Sequence, residues 1–92
     1  MYLHLGGDTV INTENIVGIF DLENTSISKH TKKFLARAEK EGSVINVSYE
    51  LPKSFIVAHE NGEERVYISQ LAPSTLFRRM RHPYNESTDV LR

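Results

Sequence analysis

Up to residue 23 the chain is written in short β-branched runs broken by turn signals, and beyond it the apolar spacing lengthens to a helical period. Residues 2–5 form an apolar-rich run closed by Gly6-Gly7-Asp8, and Thr9-Val10-Ile11 reads as its partner, so a hairpin opens the chain. Residues 12–15 are polar and turn-like. Ile16-Val17-Gly18-Ile19-Phe20 is β-branched and apolar, which predicts the chief core strand. Ile27, Thr31, Phe34, Leu35 and Ala38 then fall at i, i+4, i+7, i+8 and i+11, the stripe of an amphipathic helix. Asn24, Thr25, Ser26 and Ser28 are each competent N-caps, and Gly42 is a left-handed stop.

The second half returns to a strand period. Residues 44–49 alternate from Ile45 onward, and Pro52 interrupts the connection that follows. Two runs, 54–58 and 64–69, flank an Asn61-Gly62 pair, the dipeptide favoured in a tight type I′ hairpin turn. Pro73 sits near the first position of a second helix, where Leu76 and Met80 are spaced i, i+4 with Phe77 beside them, and Pro83 ends it. The order is β-β-β-α-β-β-β-α. This is an α+β fold of about six short strands in a mainly antiparallel sheet, with one long helix and one short one. Residues 1–83 read as a single domain and residues 84–92 as a flexible C-terminal tail.

Composition narrows the function. Ninety-two residues with 39% apolar side chains make one modest core, which a subunit interface would enlarge. There is no cysteine, hence neither a disulfide framework nor a thiolate metal site. The N-terminus lacks the basic and apolar regions of a secretion signal, and no run reaches membrane-spanning length, so a cytoplasmic protein without a membrane partner is expected. Net charge is −1, so any polyanion site depends on distribution. Residues 1–28 carry Asp8, Glu14, Asp21 and Glu23 and no lysine or arginine, whereas residues 29–40 carry Lys29, Lys32, Lys33, Arg37 and Lys40 against Glu39 alone.

On the long helix Lys29, Lys33, Arg37 and Lys40 fall opposite the apolar stripe. Like charges at i, i+4 are mildly destabilising, and a phosphate backbone would favour them; the plain alternative is a solvated face. Arg78, Arg79 and Arg81 close the short helix, where the dipole favours cations. Guanidinium also suits bidentate contacts, either to phosphate or to carboxylates in the acidic N-terminal third of a neighbouring subunit. His4, His30, His59 and His82 are scattered, with no metal-binding spacing. No nucleophile elbow, phosphate loop or dinucleotide fingerprint is present, so no enzyme, cofactor or small-molecule substrate is expected. Single-stranded nucleic acid would want exposed aromatics among the cations; Phe55, Tyr67 and Phe77 read as core-facing, which leaves Tyr84.

Four segments then carry a resemblance: residues 1–6 (MYLHLG), Ile16-Val17-Gly18-Ile19-Phe20-Asp21, Pro52-Lys53-Ser54, and Tyr67-Ile68-Ser69 through Ser74-Thr75-Leu76. Over roughly residues 1–80 the chain resembles the small bacterial extracellular-matrix regulatory proteins, the RemA/RemB family, and looks closest to the RemB branch. The resemblance implies a non-enzymatic, cytoplasmic, DNA-binding regulator of biofilm matrix genes. It further implies a fold similar to LytTR-type DNA-binding domains and a closed ring with double-stranded DNA on its basic outer surface. In the RemA branch, basic residues near the start of the third strand and in the mid-chain turn serve that surface. Here the matching places are Asn15 and Glu50-Leu51-Pro52, with only Lys53 basic. The expected contacts are therefore Lys29, Lys33, Arg37, Lys53, Arg78, Arg79 and Arg81 on a homo-oligomer. The rival reading is a structural or interaction protein whose oligomer assists a related regulator.

Overall fold

The computed structural model describes residues 1–23 and 28–81. Strands β1 (Tyr2–Gly6) and β2 (Thr9–Asn12) pair as an antiparallel hairpin, and a single 3-10 turn, Thr13–Asn15, leads into β3 (Ile16–Asp21). Helix α1 (Lys29–Lys40) is followed by β4 (Val44–Asn46), β5 (Ser54–Glu60), β6 (Glu63–Ser69) and helix α2 (Pro73–Arg81). The fold is α+β as the pattern predicts, but the strands divide into the two-stranded hairpin and a four-stranded sheet of order β3-β5-β6-β4. That sheet is mixed, because β4 runs parallel to β6. A parallel neighbour needs a crossover, and its partner here arrives only after β5 and the tight turn to β6.

Local chemistry explains most of these boundaries. Ser28 caps α1: its Oγ accepts from the Thr31 N–H at 3.1 Å. Gly42, at φ +75°, ends the helix in the left-handed region. Asn61 (φ +54°) and Gly62 (φ +79°) both take positive φ, as the two-residue β5–β6 turn requires. Pro73 opens α2, where its missing N–H costs nothing. The capping candidates Asn24, Thr25 and Ser26, Ile27 at the head of the stripe, Pro83 and the 84–92 tail lie outside the described residues.

The core strand is β5, not β3. Ser54, Phe55, Ile56, Val57 and Ala58 are all buried, because β5 is central and covered on both faces. Phe55 and Val57 meet Ala38, Phe34 and Leu35 of α1, while Ile56 and Ala58 meet Leu3, Leu5 and Ile11 of the hairpin and Leu76 of α2. The protein is thus three layers: α1, the four-stranded sheet, and the hairpin with α2. By contrast β3 is an edge strand, with Val17 and Phe20 exposed and only Ile16 and Ile19 packed inward. Its β-branched composition records pairing, not full burial. Two further expectations change. The strand after α1 stops at Asn46, leaving Tyr49 fully exposed, and Phe77 lies outside the core because Leu76 and Met80 take the buried side of α2.

Two buried hydroxyls fasten the layers. Ser54 and Ser69 face one another across β5 and β6. The Ser54 Oγ donates to the Leu71 carbonyl at 2.7 Å; the Ser69 Oγ donates to the Leu5 carbonyl at 2.6 Å and accepts from the Leu71 N–H at 3.0 Å. Each is fully buried and satisfied, so neither carries a desolvation penalty without return.

Candidate nucleic-acid interface

Packing decides which way the cations of α1 point. Phe34, Leu35 and Ala38 turn toward Phe55, Val57 and Val66, so the other side of the helix faces outward. There Lys29, Lys33, Arg37 and Lys40 are all exposed, about 6 Å apart along the axis where the spacing is four residues. Among the described residues no carboxylate pairs with any of them; the ion pair present is Arg65 with Glu63 at 2.8 Å, elsewhere on the sheet. Arg37 lies with its guanidinium carbon 5.9 Å from the centre of the Phe34 ring. That contact steadies its stem while leaving its donors to solvent.

The other predicted contacts are placed differently. Lys53 is exposed at the head of β5, where its backbone bridges two strands: its N–H donates to the Ser69 carbonyl at 2.8 Å, and its carbonyl accepts from Leu22 N–H at 2.9 Å. Arg78 and Arg81 are exposed on α2, whereas Arg79 is half-buried and reaches back to β1, its Nη1 donating to the His4 carbonyl at 3.3 Å. The buried Nε of Arg79 meets no acceptor among the described residues. The three arginines are therefore two solvent-facing cations and one strut between α2 and the hairpin. The four-stranded sheet also separates the sets, with α1 on one face and α2 on the other. The structure brings the α1 cations together and does not bring the α2 cations to them.

His4 and Tyr67 are committed to the fold. The His4 Nε2 donates to the Gly7 carbonyl at 2.7 Å. Among the described residues no three His, Asp or Glu side chains converge as metal ligands would. The Tyr67 phenol donates to the Glu60 carboxylate. Burial pushes its pKa up to about 12, helped by the bond and the charge of Glu60 and opposed by Arg65. At neutral pH it acts as a hydrogen-bond donor to Glu60. No described helix is long and apolar enough to cross a membrane.

The periodicity did not disclose an apolar groove of about 400 Å³ on the α1 side of the sheet. Phe55 and Val57 floor it, Val17 and Phe20 of β3 form one wall, and Phe34 with His30 and Thr31 of α1 form the other. Phe20 stacks on Phe55 with ring centres 4.9 Å apart. The available signal was the glycine after Val17: the β3–β5 register shifts between Ile16 and Gly18, which leaves Val17 without a partner across the ladder and exposed.

With this geometry in view, residues 2–80 match the RemA-like family, described as extracellular matrix regulatory protein A-like. The chain belongs to that family. The matched stretch runs from the first residue of β1 to the penultimate residue of α2, so the RemA-like unit includes both sheets and both helices. The chain is also 40% identical over 79 residues to extracellular matrix regulatory protein B of Bacillus subtilis (strain 168), a match covering 86% of this chain and 89% of that protein. Membership in the RemA-like family establishes the resemblance read from the four sequence segments. It also supports a regulatory role, as the names of both the family and the relative state.

Proposed function

We propose that this RemA-like protein is a non-enzymatic, cytoplasmic, DNA-binding regulator of biofilm matrix genes, acting as a ring-like homo-oligomer that contacts duplex phosphates. One observation carries the reading. The outward face of α1 holds Lys29, Lys33, Arg37 and Lys40 exposed and without a carboxylate partner among the described residues. Repulsion at i, i+4 costs the isolated protomer some stability, and a polyanion reverses the sign. A chain of net charge −1 offers few cations, but repetition around an oligomer joins them into a track. Affinity then comes from many phosphate contacts and from avidity. Lys53 extends the set of contacts, and Arg78 and Arg81 form a second cationic edge across the sheet. The proposal includes the likeness to LytTR-type domains that the family resemblance implies.

Fluorescence anisotropy with a labelled duplex, from low to physiological salt, tests it. Binding should weaken linearly in log salt, and the slope counts phosphates neutralised. The Lys33→Glu/Arg37→Glu variant should bind more weakly with a flatter slope while its mass by light scattering is unchanged. Unchanged affinity rejects the α1 face. A second reading is favoured by Asn15 and Glu50-Leu51-Pro52, which lack cations where the RemA branch has them. In that reading the oligomer assists a related regulator, and absence of duplex binding even at low salt selects it.

A further inference from the structure

The outward side of α2 differs in kind from that of α1. Its exposed residues are Ser74, Phe77, Arg78 and Arg81, at i, i+3, i+4 and i+7, so they share one helical face. Leu76 and Met80 take the opposite side, and Arg79 is turned back onto β1. Phe77 stays 42% exposed although its neighbour Leu76 is fully buried. A lone exposed ring is ordinary on a protein surface. This one sits beside Arg78 and one turn from Arg81, about 6 Å along the axis. Among the described residues neither arginine pairs with a carboxylate, and residues 65–85 contain no Asp or Glu. The strand to which Arg79 ties the helix carries a second open aromatic, Tyr2, 67% exposed. The exposed face of α1, by contrast, has cations but no Phe, Tyr or Trp.

We infer that this face of α2 binds single-stranded nucleic acid, with a base stacked on the Phe77 ring and the flanking phosphates held by Arg78 and Arg81. The partner follows from the groups present. Guanidinium forks suit phosphate oxygens. An open ring suits the face of a base, and such stacking gives affinity that tolerates any sequence. Inside a duplex those faces are covered by neighbouring bases, so Phe77 adds nothing to duplex binding away from an end or an opened segment. Cations alone serve a duplex, and α1 offers cations alone. The sequence pattern assigns Phe77 to the core, which removes it as a platform; its exposure restores it. The four-stranded sheet stands between the two helices, so a strand on α2 and a duplex on α1 do not compete for residues. The inference stands apart from the duplex reading of α1.

Anisotropy of short labelled oligodeoxythymidine and oligouridine, mixed with the whole chain, tests this. Wild type should bind at least one of them, and a preference between the two reads the 2′-hydroxyl. Phe77→Ala should weaken that binding roughly tenfold, with duplex affinity and the circular dichroism spectrum unchanged. Phe77→Tyr should keep the affinity and Phe77→Leu should lose it, which separates stacking from apolar bulk. Arg78→Gln/Arg81→Gln should flatten the salt slope. Lys33→Glu/Arg37→Glu should leave single-strand affinity within about twofold, since salt screens charges across the sheet. Duplex binding that fails while the single strand still binds through Phe77 rejects the α1 reading and leaves this one standing. No single-strand binding at low salt, or an affinity indifferent to Phe77→Ala or Phe77→Leu, overturns it. Anionic lipid vesicles captured through Phe77, with neither oligonucleotide bound, identify a membrane-facing patch and overturn it as well.

Discussion

The two faces of the four-stranded sheet are finished to different degrees. On the hairpin side Leu3, Leu5, Ile11, Ile56, Ala58, Tyr67 and Leu76 are closed into one cluster, and Ser54 and Ser69 fasten it with buried hydrogen bonds. On the α1 side Ala38, Phe55, Val57 and Val66 are buried, but Val17 and Phe20 stand open beside a groove. The same strand shows both states, since Ile16 and Ile19 of β3 face the closed side. The closed face holds the fold, and the open one is available for contact.

Substitutions should separate the faces by size of effect. Leu5→Ala, in the closed cluster, is expected to lower unfolding stability by about 2–5 kcal/mol in urea titration. A midpoint shift below that range would mean that the hairpin side is looser than its burial indicates.

Alkaline pH probes the same face. The Tyr67 phenol has a folded pKa of about 12, above its ordinary 10.0. Between these values the unfolded chain has lost the proton that the native state keeps, so stability is intact below pH 10 and falls as pH rises toward 12. The full difference is roughly 2–3 kcal/mol. Comparing wild type with Tyr67→Phe isolates this titration, and the variant should lack the extra decline. Ser69→Ala should cost about 1–3 kcal/mol, because it removes a donor from the Leu5 carbonyl and an acceptor from the Leu71 N–H in a dry site. On the open face Val17→Ser should stay within about 0.5 kcal/mol, as an exposed position does. A larger loss at Val17, measured under conditions that keep the chain monomeric, would place that residue with the fold and erase the contrast.

Much of the architecture was legible because local chemistry and tertiary packing agree. The α1 stripe, the Asn61-Gly62 turn, Pro73 at the head of α2 and the opening hairpin all carry their own signals. Misreading began where one composition serves two environments. Ile16-Val17-Gly18-Ile19-Phe20 has the residues of a buried strand, and a β-branched run cannot say whether its second face meets its own helix or another chain. Ser54 and Ala58 disguised the true core strand, because their burial depends on Leu71 and the hairpin, which are far along the chain. The candidate site divides the same way. Exposure of Lys29, Lys33 and Arg37 follows from helical phase alone. The split of Arg79 from Arg78 and Arg81 depends on β1 being seated beside α2, 75 residues away in sequence from His4 to Arg79.

The strand order also governs when this protein can exist during synthesis. β3 pairs only with β5 among the described strands, and β4 only with β6, so both wait for partners made later. A nascent chain ending before residue 54 owns a two-stranded hairpin and one twelve-residue helix, each marginal in water by itself. The sheet is complete only when the β5–β6 hairpin lies between β3 and β4 and Ser69 meets the Leu5 carbonyl 64 residues away. A copy cut short upstream of Ser69 lacks both the end of β6 and the buried bond to the Leu5 carbonyl, so an early stop removes part of the frame and does not merely trim it.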